Sequence, residues 1–335
     1  MASQVSPGVV IRERDLSTGV LVGVSGLRAG IASSFRSGPV GKITNIGSER
    51  ELIDTFGSPA EANAADWLVA SEFLRYGGQL AVVRATTGVL NATLDGSAVL
   101  VGSKEDYEAG AGSSEKFIAR TAGADGNNLH VVIVDKGPDF TITKTGHGLS
   151  VGGTYTDDAA VGHEVVEVVD ANTVRIIQGT AAPTPASGDT SAAFTNSDWN
   201  ATQIGTTGLT YKEVGPRPGS SAFATERYIT MDEVHVAIVD TSTNTIVERM
   251  TYLSKISDAK SPEGSSIYWK DYVNEFSGFI FAGALTSAEF TTLGSDPGAT
   301  VASYGATAAA PITLSRILKT AGGALSGGTD DYAYT

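Results

Sequence analysis

The most constraining stretch of this sequence lies between Lys42 and Ala85, where a strand pattern, two helix-start signals and a second strand pattern follow in close order. Lys42-Ile43-Thr44-Asn45-Ile46 reads as a strand. Ser48-Glu49-Arg50-Glu51 is a capping box, in which Ser48 takes the Glu51 amide and Glu51 reaches back to Ser48. Ser58-Pro59-Ala60-Glu61 is a second, with Pro59 at the first helical position. The helix it opens is expected to run to about Tyr76, burying Trp67, Ala70, Phe73 and Leu74 at helical spacing, and Gly77-Gly78 stops it. Residues 80–85 then read as a buried strand. With Val20-Leu21-Val22-Gly23-Val24 as a further strand, residues 19–87 are predicted to be an α/β unit built on strand–helix–strand.

A second unit is expected over residues 88–139 and 226–284. Residues 116–120 and 129–134 are strands flanking the turn-rich Gly123-Ala124-Asp125-Gly126-Asn127-Asn128. Residues 234–239 and 245–250 form a hairpin pattern, followed by a helix over 267–276 and a strand at 279–281. Between these halves, residues 140–225 change character. Short strands at 140–143, 165–169 and 173–177 alternate with Gly and Asp-Ala-Asn turns, and Pro183-Thr184-Pro185-Ala186-Ser187-Gly188 is a loop. This span reads as a small all-β insertion, and residues 285–335 as a return segment. The fold class is therefore α/β (α+β), multidomain.

Length and composition agree with several domains and exclude some functions. The chain has 335 residues, more than one ordinary core serves. No run approaches the roughly 20 apolar residues of a spanning helix. The first seven residues carry neither a basic region nor an apolar stretch, and no secretory signal is expected. There is no cysteine, which removes disulfides and thiolate metal sites. The formal charge of −14 argues against a nucleic-acid reader, which presents a basic surface.

The candidates for chemistry do not converge. Gly148-Leu149-Ser150-Val151-Gly152 matches a nucleophile elbow beside His147, but its flanks are turn sequences and not a strand and a helix. His163-Glu164 lacks the second histidine of a zinc protease, and Ser113-x-x-Lys116 lacks its partner motifs. Asp125-Gly126-Asn127-Asn128 could set oxygens around calcium, but without a terminal bidentate Glu it reads as a turn. His130 and His235 sit in strand patterns, and Asp157-Asp158 and Asp330-Asp331 read as solvated loop acids. No catalytic, metal or cofactor site is predicted, and the chain is read as a non-enzyme.

The order of several short motifs is more informative. Ser6-Pro7-Gly8-Val9 with Glu13 precedes Gly38-Pro39-Val40-Gly41, then Ser48-Glu49 through Leu52 to Phe56-Gly57-Ser58-Pro59, then Phe73-Leu74-Arg75-Tyr76-Gly77-Gly78 and Val82-Val83-Arg84-Ala85. Ala119-Arg120-Thr121-Ala122-Gly123 with Gly126-Asn127, Val247-Glu248 with Leu253-Ser254, and Leu325-Ser326-Gly327-Gly328-Thr329-Asp330 continue the series. In this order the motifs resemble the N-terminal and middle region of contractile-phage tail sheath subunits. The likeness covers most of residues 5–134 and 228–330 and leaves out 140–225, a position where that family carries variable decoration.

The resemblance implies a structural subunit that stacks as hexameric rings around a tail tube and contracts to drive the tube through a host envelope. Implied partners are copies of itself, the tail tube protein, and baseplate and tail terminator proteins, with no nucleic acid and no membrane insertion. The implied location is the virion tail, assembled in the host cytoplasm, and no cofactor is implied. Residues 19–87 would be completed by residues after 284. The family continues well beyond the Leu325–Asp330 motif, so the chain is expected to be part of a longer subunit. Residues 1–18 read as an extended arm, and Val9, Val10, Ile11, Arg12 and Glu13 are its candidate intersubunit strand, since β-branched residues with a free backbone edge suit strand addition. Other readings are the sheath of a phage-like bacteriocin or other contractile injection system, a tail adhesin with a glycan-binding β domain, and a hydrolase built on Ser150.

Overall fold

A computed structural model describes residues 27–205 and 207–330. The arm with Val9, Val10, Ile11, Arg12 and Glu13, the strand read at residues 20–24, and the last five residues lie outside the described residues. The fold is a mixture of α and β, with several small sheets and few helices.

The first unit contains β1 (Arg28–Ser33), β2 (Ile43–Ile46), α1 (Glu49–Phe56), α2 (Ala64–Arg75) and β3 (Gln79–Arg84). Its sheet runs β1-β3-β2, with β1 parallel to β3 and β2 antiparallel to it. The strand–helix–strand connection is thus present, but the parallel partner of β3 is Arg28-Ala29-Gly30-Ile31-Ala32-Ser33. That run is rich in small residues and has a weak strand signal; pairing with β3, not propensity, makes it a strand.

Both helix caps differ in detail from expectation. Ser48 does accept the Glu51 amide at 3.2 Å, but the Glu51 carboxylate accepts from Gly47, one residue earlier, at 2.8 Å. Before α2, Ser58 and Glu61 do not make the expected box. A 3-10 turn at Glu61–Asn63 leads in, and Asn63 Oδ1 accepts from the Ala60 amide at 2.8 Å while its Nδ2 donates to the Ser34 carbonyl. A tertiary partner in the loop after β1 has moved the cap. Trp67, Ala70 and Leu74 bury as expected against Leu52, Phe56, Leu80 and Val82. Gly77 takes a positive φ of 78° to end α2, and a Cβ on Gly78 would lie 2.4 Å from the Phe73 ring, so the pair has two separate steric reasons.

α3 (Lys104–Glu108), capped by Ser103, precedes β4 (Phe117–Ala119) and β5 (Leu129–Val134). Residues 140–193 then form β6 (Phe140–Thr143), β7 (Thr154–Thr156), β8 (Gly162–Asp170), β9 (Thr173–Ile176) and β10 (Thr190–Ala193). These make one antiparallel five-stranded sheet in the order β10-β6-β9-β8-β7, with Ile142, Tyr155, Val165, Val174 and Ile176 as its small core. The β character expected of the whole 140–225 span stops there. Residues 196–225 carry α4 (Asn196–Ala201), α5 (Tyr211–Val214) and α6 (Ala222–Thr225), each too short to show helical periodicity in sequence.

The chain continues through β11 (Ile229–Thr230), β12 (Glu233–Asp240), β13 (Thr245–Ser254), α7 (Trp269–Phe276), β14 (Ile280–Ala282), α8 (Val301–Tyr304), β15 (Ile312–Thr313) and β16 (Gly323–Ala324). The β12–β13 hairpin joins β5 and β16 in a central sheet ordered β13-β12-β5-β16. One face carries the main core, where Val131, Ile133, Val236, Ile238 and Met250 meet Phe117, Trp269, Val273, Ile280 and Ile317. On the other, Val132, Ala237 and Val239 meet Ile204 and Val214 from the helical turns. Coverage on both faces explains why β12 is apolar and buried at every position from Val234 to Val239 except the buried His235. The segment after residue 284 threads back along this unit, bridging Phe290 to Ile317, Thr93 to Ser326 and Leu90 to Thr329.

Candidate functional site

The residues that could have supported catalysis are used for structure. Ser150 is exposed in the turn between β6 and β7, without the strand-to-helix bend an elbow needs. Its neighbour His147 accepts the Leu149 amide on Nδ1 at 2.9 Å, and its Nε2 lies 2.8 Å from the Asp170 carbonyl, so neither nitrogen is aimed at Ser150. His235 is buried in β12; its Nδ1 accepts from Tyr252 and its Nε2 donates to the Pro216 carbonyl at 2.8 Å. Burial pulls its pKa down, partly offset by the bond to Pro216. Burial likewise lowers His130. Asp125 pairs with Arg36 at 2.6 Å and Asn127 exchanges two bonds with Gly328, so the expected turn is a tie and not an ion loop. Among the described residues, no group of three or more His, Asp or Glu is placed to hold a metal.

Buried acids tie the 140–193 strands together and to the rest of the chain. Asp157, read as a solvated loop charge, is buried and accepts from the Val161 and Thr184 amides at 2.8 Å, with His163 Nε2 at 3.4 Å. The Thr184 amide, with that of Val161, holds its carboxyl below the usual range. Glu164 is buried as well and accepts from the Thr292 amide and hydroxyl and the Leu293 amide, tying the five-stranded sheet to the segment after residue 284. Sequence patterning assigns Glu to surfaces, and neither burial had a local signal. Glu167 completes the tie through Lys319 at 2.5 Å and is braced within the sheet by Arg175 at 2.6 Å.

The aromatic residues of the 140–225 span are likewise interior. Tyr155, Phe194 and Trp199 are buried, and Trp199 stacks on Tyr211 at 4.7 Å. A glycan groove needs such rings on the surface; here they hold the sheet and the helical turns together.

The surface feature that fits an interaction role is on the first unit. Ala29, Ile31, Leu80, Val82 and Ile46 point to the helices, so the register places Gly30, Ala32, Ala81, Val83 and Ile43 on the opposite face. No described element covers that face, and Ile43 is 73% exposed. On the far side of the helix layer, α2 exposes Leu68 at 55% and Val69 at 65%, with Tyr76 at its end 80% exposed. Exposed apolar side chains grouped on one unit are the kind of surface that interaction sites use. Among the described residues, no helix is long and apolar enough to cross a membrane.

The chain is similar to curated phage proteins. It is 25% identical over 333 residues to the tail sheath protein of Salmonella phage ViI, a match covering 86% of this chain and 51% of that protein. It is 37% identical over 90 residues to the tail sheath protein of Vibrio phage KVP40 and 36% over 80 residues to that of Enterobacteria phage T4, covering 13% and 12% of those proteins. The chain spans about half the length of the ViI relative and a smaller share of the other two. No family model matches it. A solved sheath tail protein from Listeria innocua overlays with a TM-score of 0.20 at 16% identity, over 52% of this chain and 37% of that one, too loosely to bear on the fold. The tail-sheath resemblance read from the ordered motifs is borne out by these curated relatives.

Proposed function

We propose that this chain is a structural subunit of a contractile phage tail sheath, polymerising as stacked hexameric rings around a tail tube and contracting to drive the tube through the host envelope. The observation that carries the reading is the sequence relationship to the ViI tail sheath protein across 86% of this chain. The exposed Ile43, Leu68, Val69 and Tyr76 of the first unit, which no described element covers, support it, since exposed apolar surface marks an interaction site. Copies of this chain, a tail tube protein, and baseplate and terminator proteins are the partners; nucleic acid and membrane are not. The place of action is the virion tail, after assembly in the host cytoplasm.

Within this reading, residues 1–18 are an arm, and Val9, Val10, Ile11, Arg12 and Glu13 add a strand to a neighbouring subunit. Residues 19–87, completed by residues after 284, form one sheath domain, residues 88–139 and 226–284 a second, and residues 140–225 an outward decoration. The test is electron microscopy of the purified chain and of the full-length product containing it. Helical tubes or stacked rings of the full-length product are expected, whereas a monodisperse monomer across ionic conditions would sink the proposal.

A further inference from the structure

The five-stranded sheet is joined to the rest of the chain by only two connections. Residues 135–139 lead out from β5 to β6, and residues 194–195 lead back from β10. Two connections of this length would ordinarily serve as a hinge, because a few loop residues can absorb a large φ/ψ change. Here their backbone groups are occupied. Arg217, which follows the sheet in sequence, donates from Nε to the Lys136 carbonyl at 2.7 Å and from Nη2 to the Pro138 carbonyl. Its Nη1 donates to the Phe194 carbonyl at 2.8 Å, so one guanidinium holds the outgoing and the returning strand together.

The carbonyl between those two is gripped from a different part of the chain. Arg316 donates to Gly137 at 3.0 Å and lies 3.4 Å from both Asp139 carboxylate oxygens. The outgoing connection bends here, with Gly137 at a positive φ of 64°, and presents the Lys136 and Pro138 carbonyls to Arg217 and the Gly137 carbonyl to Arg316. Its ends are held as well, Asp135 by Lys255 at 2.7 Å and Asp139 by Lys136 at 3.1 Å. The two strands also bond to each other, Phe194 amide to Asp139 carbonyl at 2.8 Å, and the Phe194 ring lies between Arg175 and Arg217 at 4.9 and 5.0 Å. A planar guanidinium with five donors in fixed directions suits this task, and an ammonium does not.

We infer that Arg217 and Arg316 clamp the two-stranded neck, so that the five-stranded sheet is carried as a fixed outrigger of the central sheet and does not swing on its connections. Turning the neck would strip several carbonyls from partly buried cations at once, and unpaired buried polar groups are costly. Glu164 and Glu167 hold the flank of the sheet in the same orientation. The inference concerns one chain's internal geometry and holds whether or not the chain polymerises.

The chain has no cysteine, so a single labelled pair tests it directly. Val169→Cys on β8 and Thr245→Cys on β13, both exposed, carry nitroxides for pulsed electron spin resonance, diluted with unlabelled chain to suppress distances between copies. One narrow distance peak is expected in the otherwise unaltered chain. In Arg217→Met/Arg316→Met that peak is lost to a broad distribution, with far-UV circular dichroism retained. A broad or double-peaked distribution in the unaltered chain overturns the clamp, as does an unchanged narrow peak in the folded double variant. Should the double variant not fold, Arg217→Gln alone decides, since Gln cannot reach three carbonyls and an unchanged peak there also overturns it.

Discussion

Lys255 Nζ lies 2.7 Å from Asp135 Oδ2, with both side chains shut off from solvent and 120 residues apart in sequence. The ammonium also donates to the Ser315 carbonyl at 2.8 Å, and Asp135 accepts from the Ile317 and Gly137 amides. Three distant segments therefore meet at one ion pair. Burial pulls the Lys255 pKa down, and the Asp135 charge opposes it.

Removing one partner should cost more than removing both. Lys255→Met leaves a buried carboxylate without its cation and is expected to lose about 3–5 kcal/mol. Lys255→Met with Asp135→Asn removes the buried charge and keeps an acceptor oxygen for one of the Ile317 and Gly137 amides, and should recover part of that loss. Urea denaturation of the two variants checks this, and equal midpoints would refute it.

Stability should fall on acidification in two stages. The folded pKa of His235 lies below its ordinary 6.5, so between the two values the unfolded chain binds the extra proton, and stability drops as pH falls below about 6.5. Asp139 and Glu167 feel burial as an upward push, but Arg316 with Lys136, and Lys319 with Arg175, more than offset it. Both end below their ordinary 3.8 and 4.5, and their contribution, complete above those values, is lost as pH falls through the depressed ones. Calorimetric melting from about pH 8 to about pH 3 should show both declines, with the first reduced in His235→Gln. A melting temperature that rises between about pH 7 and pH 5 would contradict the first stage.

Ser150→Ala should alter neither stability nor assembly. A fluorophosphonate serine probe is expected to leave the unaltered chain unlabelled, because His147 is committed to Leu149 and Asp170. Labelling that disappears in Ser150→Ala would reopen a hydrolase.

Ile43→Asp and Val69→Asp place charge on faces of the first unit that no described element covers. Exposed substitutions of this kind shift the stability of the single chain by under about 0.5 kcal/mol. Polymerisation of the full-length product, followed by light scattering, should nevertheless be impaired. Unchanged scattering would remove these faces from the assembly surface.

Deleting residues 1–15 should leave the circular dichroism spectrum intact and impair assembly. Normal polymerisation of the shortened product would refute the arm's role.

What was legible in sequence was local. The periodicity of Trp67, Ala70 and Leu74, the Ser48 cap, the Gly77-Gly78 stop and the β12–β13 hairpin all act within a few residues, and each stands where the sequence placed it. The short α4, α5 and α6 had too few residues to show a period, and the Asn63 cap was chosen by the distant Ser34 carbonyl.

The sequence by itself determined the mixed α/β class, the existence of most strands, the absence of disulfides and the resemblance to tail sheath proteins through ordered motifs. Only the tertiary structure decided that the small-residue run at Arg28–Ser33 is the parallel partner of Gln79–Arg84, that Asp157 and Glu164 are buried, and that Arg217 and Arg316 hold one neck from two sides. The physical reason is range. Hydrophobic period and capping depend on neighbours a turn or a strand away, whereas the partner of a strand or of a buried charge is supplied by residues tens to hundreds of positions away, which no local pattern specifies.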